Sequence, residues 1–267
     1  MPFLEHANLQ FYFRQSGRGV PFFFQHGLGA EVSQPFGLFR PPPGARLIAM
    51  DCRGHGRSSL GPANSLRFRT FADDLRALMN YLGISRAIVG GISMGAGVAL
   101  NFALRYPGNV LGLVLSRPAW LDKPNAFNVR MFSLIACLIK EHGPAAGLKR
   151  FRASSELAEI RSKYPDTAKS LESQFLRKRA RETCPILEQI PKDRPNPRRA
   201  QWKTITVPTL ILANRRDPVH PYEYAKILAA HIPRAELRQI VSKSANVALH
   251  EWQVQAFIEH FLTKHFV

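Results

Sequence analysis

Short runs that are apolar throughout alternate along this chain with segments whose apolar residues recur at helical spacing. Phe22-Phe23-Phe24, Leu47-Ile48-Ala49-Met50, Ala87-Ile88-Val89, Leu113-Val114-Leu115 and Leu210-Ile211-Leu212 are each bounded by Gly, Pro or charged residues. Strands covered by helices on both faces read this way, because neither face returns to water. Between two of them, Phe71, Leu75, Leu78, Met79 and Leu82 share one face of a helix that Gly83 ends. Strand followed by helix, repeated, predicts an α/β chain with right-handed crossovers in a doubly wound sheet.

The alternation breaks once. From Trp120 to Thr206 the pattern is helical, as in Met131 to Ile139 and Leu171 to Leu176, with punctuation at Gly143-Pro144 and a loop from Pro191 to Pro197. An insertion without strands of its own predicts a helical cap, residues 120–206, resting on a core built from residues 1–119 and 207–267. The strand pattern resumes at Val207 to Leu212, and a last helix is expected from Glu251 to Leu262.

Composition adds bounds. With 267 residues and 45% hydrophobic side chains, the chain can bury a full core without disulfides or metal. Cys52, Cys137 and Cys184 are scattered and odd in number, which suits free thiols in a reducing compartment. Met1 to His6 shows no basic region leading into an apolar stretch, and no apolar run approaches the ~20 residues of a spanning helix. A cytoplasmic protein without a membrane partner is the expectation.

Charge raises a different question. Thirty-seven Lys and Arg against 19 Asp and Glu give +18, with 16 basic and 8 acidic residues between Lys140 and Lys203. Nucleic-acid binding wants a basic stripe interleaved with aromatics, or a recognised motif. Phe175 alone stands near Arg177-Lys178-Arg179, so a solvated face is the better reading and nucleic acid is not an expected partner.

The chemistry gathers at Gly91-Ile92-Ser93-Met94-Gly95, between the strand Ala87-Ile88-Val89 and the helical run Ala96 to Leu104. This is G-x-S-x-G in a strand–turn–helix setting. A sharp turn presents the serine in strained φ/ψ, and the flanking glycines remove side chains that would collide across it. The following helix aims N–H groups and its positive end at the site where negative charge develops. Two further loops sit at strand ends: His26-Gly27-Leu28-Gly29 and Asp51-Cys52-Arg53-Gly54-His55-Gly56-Arg57-Ser58.

Taken together, from about Phe11 to Leu262, these three motifs resemble the α/β-hydrolase fold family, in particular its capped esterase, lactonase and epoxide-hydrolase-like branch. The resemblance implies an eight-stranded, mostly parallel sheet flanked by helices, with the cap inserted after the sixth strand. It also implies a Ser–acid–His triad and an oxyanion hole from the backbone N–H groups of Leu28 and Met94. Family order puts the acid after the seventh strand, where Asp217 follows Leu210-Ile211-Leu212, with Asp122 as the fallback. Relatives carry the histidine on a short loop after the last strand, and here Ser242 to Leu249 holds none. His250 is the expected base, on a loop that folds back, with His220, His231 and His260 as poorer candidates and His220 set aside as too close to Asp217 along the chain.

Serine where dehalogenases and epoxide hydrolases need Asp points to acyl chemistry. The expectation is a hydrolase of small or medium esters, lactones or related acyl compounds, without cofactor or metal, with Trp120 lining the acyl pocket. A catalytically weak ligand-binding protein of the same fold is the alternative, because the usual histidine is missing.

Overall fold

A computed structural model describes residues 2–267. Eight strands form one sheet: β1 (Phe3–His6), β2 (Leu9–Gly17), β3 (Val20–Gln25), β4 (Ala45–Met50), β5 (Ala87–Ile92), β6 (Val110–Ser116), β7 (Thr209–Ala213) and β8 (Ala235–Gln239). Their spatial order is β1-β2-β4-β3-β5-β6-β7-β8. Only the β1–β2 and β2–β4 pairings are antiparallel. The apolar runs read from the sequence are the inner strands of this sheet, and β5, β6 and β7 are buried along nearly their whole length.

The described residues form nine α-helices: α1 (Ser33–Leu38), α2 (Phe68–Tyr81), α3 (Met94–Arg105), α4 (Arg130–Arg152), α5 (Ser155–Lys163), α6 (Pro165–Ser173), α7 (Pro185–Gln189), α8 (Tyr222–His231) and α9 (Val247–His265). On one face of the sheet, Phe71, Leu75, Leu78 and Met79 of α2 join Phe68, Val98, Phe102, Phe23 and Val89 in the larger core. On the other, Val254, Ile258, Phe261 and Leu262 of α9 cover Phe22, Phe24, Leu47, Val114 and Leu210. At ~25 cal/mol per Å² of apolar surface removed from water, each fully buried Phe or Leu contributes about 2–3 kcal/mol.

Between β6 and β7 the described residues form no strand: short helices, from Phe127–Val129 to Arg199–Thr204, are joined by loops and turns, the longest at 117–126 and 177–184. The break expected at Gly143-Pro144 lies inside α4, where Gly143 has φ +76°. The N-terminal hairpin of β1 and β2 alternates at Leu9, Phe11 and Phe13 and was not read as strands, because it has no run that is apolar throughout. Its turn is made by Ala7 and Asn8, both at positive φ.

Candidate active site

Ser93 stands at the sharp turn between β5 and α3 with φ +57° and ψ −109°. The surrounding packing accounts for the glycines at 91 and 95. A Cβ on Gly91 would lie 2.2 Å from the backbone of Gly95, and one on Gly95 would lie 2.4 Å from the carbonyl oxygen of Gln25. Real Cβ contacts are never so short, so only glycine lets β3, β5 and α3 converge here and hold Ser93 above the strand ends.

His220 Nε2 lies 2.8 Å from Ser93 Oγ, and His220 Nδ1 lies 2.8 Å from Asp217 Oδ2. The acid and the histidine come from one tight loop after β7. Asp217 Oδ1 accepts the backbone N–H groups of Val219 and His220, each at 3.1 Å, closing the turn. That closure brings side chains three residues apart onto the same side, and β7 is separated from β5 only by β6. Burial alone would raise the Asp217 carboxyl, but the charge and hydrogen bonds of His220 and the nearby Arg117 outweigh it and hold the group at about 2. Arg117 Nη1 is 3.5 Å from Asp217 Oδ2.

The expected base, His250, is not beside Ser93. The loop after β8 does not fold back over the sheet; it enters α9 at Val247, so His250 sits in the first turn of that helix. The side chain is 1% exposed, its Nδ1 donates to the Val241 carbonyl at 2.7 Å, and Nε2 has no partner. Burial, with Arg117 nearby, pushes its pKa down to about 4. Sequence reasoning passed over His220, and the overlooked signal was the D-P-x-H spacing after β7, where an Asx turn sets residues i and i+3 side by side.

Trp120 does not line the cavity either. It is 1% exposed and packs edge-on against Phe68 with ring centroids 5.4 Å apart, as part of the main core. Asp122, the fallback acid, pairs instead with Arg199 at 2.9 Å.

Ser93, His220 and Asp217 open into a cavity of about 430 Å³. Gly27, Leu28 and Ile92 at the strand ends line it together with Phe132, Thr167 and Leu171 of the helical segment. The backbone N–H groups of Leu28 and Met94 have no acceptor among the described residues. Gly27, immediately before Leu28, is fixed by donating its N–H to Gln34 Oε1 at 2.7 Å. The remaining motif residues hold these loops. Asp51 accepts the N–H groups of Val32 and Arg57, and His26 Nε2 accepts that of Cys52 at 3.0 Å. Among the described residues no cluster of side chains is arranged to hold a metal ion, and no helix is long and apolar enough to cross a membrane.

The family model for the alpha/beta hydrolase fold matches residues 20–248. The chain belongs to the α/β-hydrolase fold family. It is 27% identical over 256 residues to the AB hydrolase superfamily protein YisY of Bacillus subtilis, covering 87% of each chain. It is 29% identical over 202 residues to the putative carbamate hydrolase RutD of Stutzerimonas stutzeri, covering 72% of this chain and 71% of that one. Among solved structures, the enol-lactonase of Burkholderia xenovorans superposes with a TM-score of 0.74 at 19% identity, over 98% of this chain and all of that one. This α/β hydrolase is a serine hydrolase, with an unbroken chain of hydrogen bonds running from Ser93 through His220 to Asp217.

Proposed function

We propose that this hydrolase cleaves small or medium carboxylic esters and lactones through an acyl-enzyme on Ser93. The observation that carries the reading is the pair of 2.8 Å contacts joining His220 to Ser93 and to Asp217. With Asp217 accepting the Nδ1 proton, the lone pair of His220 rests on Nε2, facing the serine hydroxyl. Attack of Oγ on the substrate carbonyl passes its proton to Nε2. The tetrahedral oxyanion is held by the N–H groups of Leu28 and Met94, each worth about 3–4 kcal/mol of barrier. Collapse expels the alcohol, which takes the proton back from His220, and water repeats the cycle on the acyl-enzyme. In a lactone the alcohol stays tethered, and one ring-opened hydroxy acid leaves.

A cavity of about 430 Å³ suits a compact substrate. The helical segment 120–206 acts as a cap, since its Phe132, Thr167 and Leu171 line the cavity together with the strand ends. A fold relative named as an enol-lactonase and one named as a putative carbamate hydrolase accord with acyl chemistry at such a site. The ligand-binding alternative rested on a missing base, and with His220 against Ser93 no observation favours it.

The test is hydrolysis of p-nitrophenyl esters of increasing acyl length beside a panel of γ- and δ-lactones. Saturable turnover on short members, lost in Ser93→Ala, supports the assignment. Absence of turnover on every member, with no labelling of Ser93 by a fluorophosphonate, would reject it.

A further inference from the structure

Arg117 follows Ser116 at the end of β6, and the Ser116 carbonyl accepts the backbone N–H of Ser93 at 2.9 Å. The N–H of Arg117 donates to the Leu212 carbonyl of β7 at 2.7 Å. Arg117 is thereby clamped between the nucleophile and the strand that leads to Asp217. Its backbone reaches φ +47°. A long side chain seldom adopts that region, and such strain is kept where it aims a group at a site.

The Arg117 side chain lines the Ser93 cavity and is 14% exposed. Nη1 lies 3.5 Å from Asp217 Oδ2, and among the described residues no other carboxylate is within ion-pair distance of it. No acceptor among them takes a hydrogen bond from the guanidinium, and none of its nitrogens is sealed from solvent. Nε and Nη2 therefore open into the cavity with their donors unused. A guanidinium withdrawn this far from bulk water normally completes its hydrogen bonds.

The other charges on the cavity do not use Arg117 up. Asp217 is committed to His220. Asp166 of α6 lines the same space, but burial and the charge of Asp217 raise its carboxyl, which weakens its hold on a cation. Lys169 is exposed on this cavity without a carboxylate partner among the described residues, and Lys243 meets Glu251 only at 3.4 Å. The balance of the wall is cationic beside a nucleophile that itself needs only a carbonyl.

We infer that Arg117 makes the Ser93 cavity selective for esters and lactones that carry a free carboxylate a few carbon atoms from the scissile carbonyl. Nε and Nη2 form the fork that receives the two carboxylate oxygens, while Nη1 stays with Asp217. A guanidinium already shared with one carboxylate answers a monoanion and not a dianion. The selectivity rests on the acyl-enzyme reading of Ser93 and narrows its substrate class. It also gives the chain's net charge of +18 a use, since a positive field draws an anionic substrate towards the cavity.

Hydrolysis followed by pH-stat tests this on pairs matched in length: monomethyl glutarate against methyl valerate, monomethyl adipate against methyl hexanoate, and carboxymethyl butyrate against ethyl butyrate. The first two pairs carry the charge on the acyl side, the third on the alcohol side. In at least one pair the acidic member should show kcat/KM at least about tenfold higher, mainly through KM. Arg117→Gln and Arg117→Met should each lower that ratio by at least about fivefold, and Arg117→Lys should keep part of it. Variants that slow both members equally and leave the ratio intact would show that Arg117 acts only through Asp217, which overturns the site. If neither variant folds, inhibition of methyl valerate turnover by the wild type decides: glutaramate should be at least about tenfold stronger than valeramide, and equal inhibition overturns the site. Equal turnover within every pair sinks this inference alone. No turnover of any ester sinks the acyl-enzyme reading, and this inference with it.

Discussion

His220 lies three residues after Asp217 on one loop, with Nδ1 2.8 Å from Oδ2, and the same carboxylate closes that loop through the Val219 and His220 N–H groups. One side chain therefore both shapes the turn and orients the imidazole. Acid and base move as a unit, so the geometry facing Ser93 depends on a single short segment and not on two loops docking independently.

Two substitutions at Asp217 separate those roles. Asp217→Asn keeps an oxygen for the turn but favours the wrong imidazole tautomer, so kcat should fall by up to ~10⁴ with little change in Tm. Asp217→Ala also removes the acceptor for two backbone N–H groups and should lower stability by about 1–3 kcal/mol. Steady-state kinetics with thermal unfolding of both variants checks this; equal Tm losses would separate the turn from the carboxylate.

Ser93→Ala should abolish ester turnover while leaving the unfolding transition in place. Among the described residues the hydroxyl hydrogen-bonds only with His220, and the strained turn depends on Gly91 and Gly95 rather than on the serine side chain. Mass spectrometry after fluorophosphonate treatment should find one adduct in the wild type and none in this variant.

The inner strands were legible because β3 to β7 are buried on both faces and need unbroken apolar runs. Ser93 was legible because close approach at the elbow demands glycine at both 91 and 95. The β1–β2 hairpin was not, since it closes one end of the sheet with only Leu4, Phe11 and Phe13 buried, and alternation at three positions is a weaker signal than an unbroken apolar run. Trp120 follows β6 at a strand end, where sequence cannot tell a pocket wall from a core anchor. His220 was hidden because chain distance was taken for reach, whereas an Asx turn folds three residues into one contact.

Stability should fall as the pH drops from about 6.5 towards 4. Burial pushes His26 and His250 down to about 4, and His55 well below its usual range. In that window the unfolded chain takes up protons that the folded protein refuses, so each pH unit costs ~1.4 kcal/mol per group, roughly 3 kcal/mol for His26. Asp51 opposes this: burial raises its carboxyl to about 6, so its protonation favours the folded state over the same interval and offsets roughly one histidine. Urea unfolding at pH 7, 6, 5 and 4.5 should show the decline, with a shallower slope in His26→Gln.

The two histidines should respond in opposite ways to substitution. His220→Gln removes the only imidazole in contact with Ser93 Oγ, and a serine alkoxide is out of reach at neutral pH without a base. Turnover of a p-nitrophenyl ester should fall by at least ~10³, with KM little changed, because the cavity walls remain. His250→Gln leaves the Ser93–His220–Asp217 chain in place but disturbs a buried donor to the Val241 carbonyl, so it should lower stability by about 1–3 kcal/mol while kcat stays within a few-fold of wild type. The depressed pKa of His250 adds a second readout, since this variant should also lose part of the acid destabilisation above. A collapse of kcat in His250→Gln alongside an active His220→Gln would return the base to the first turn of α9 and make the Ser93–His220 contact a resting arrangement only.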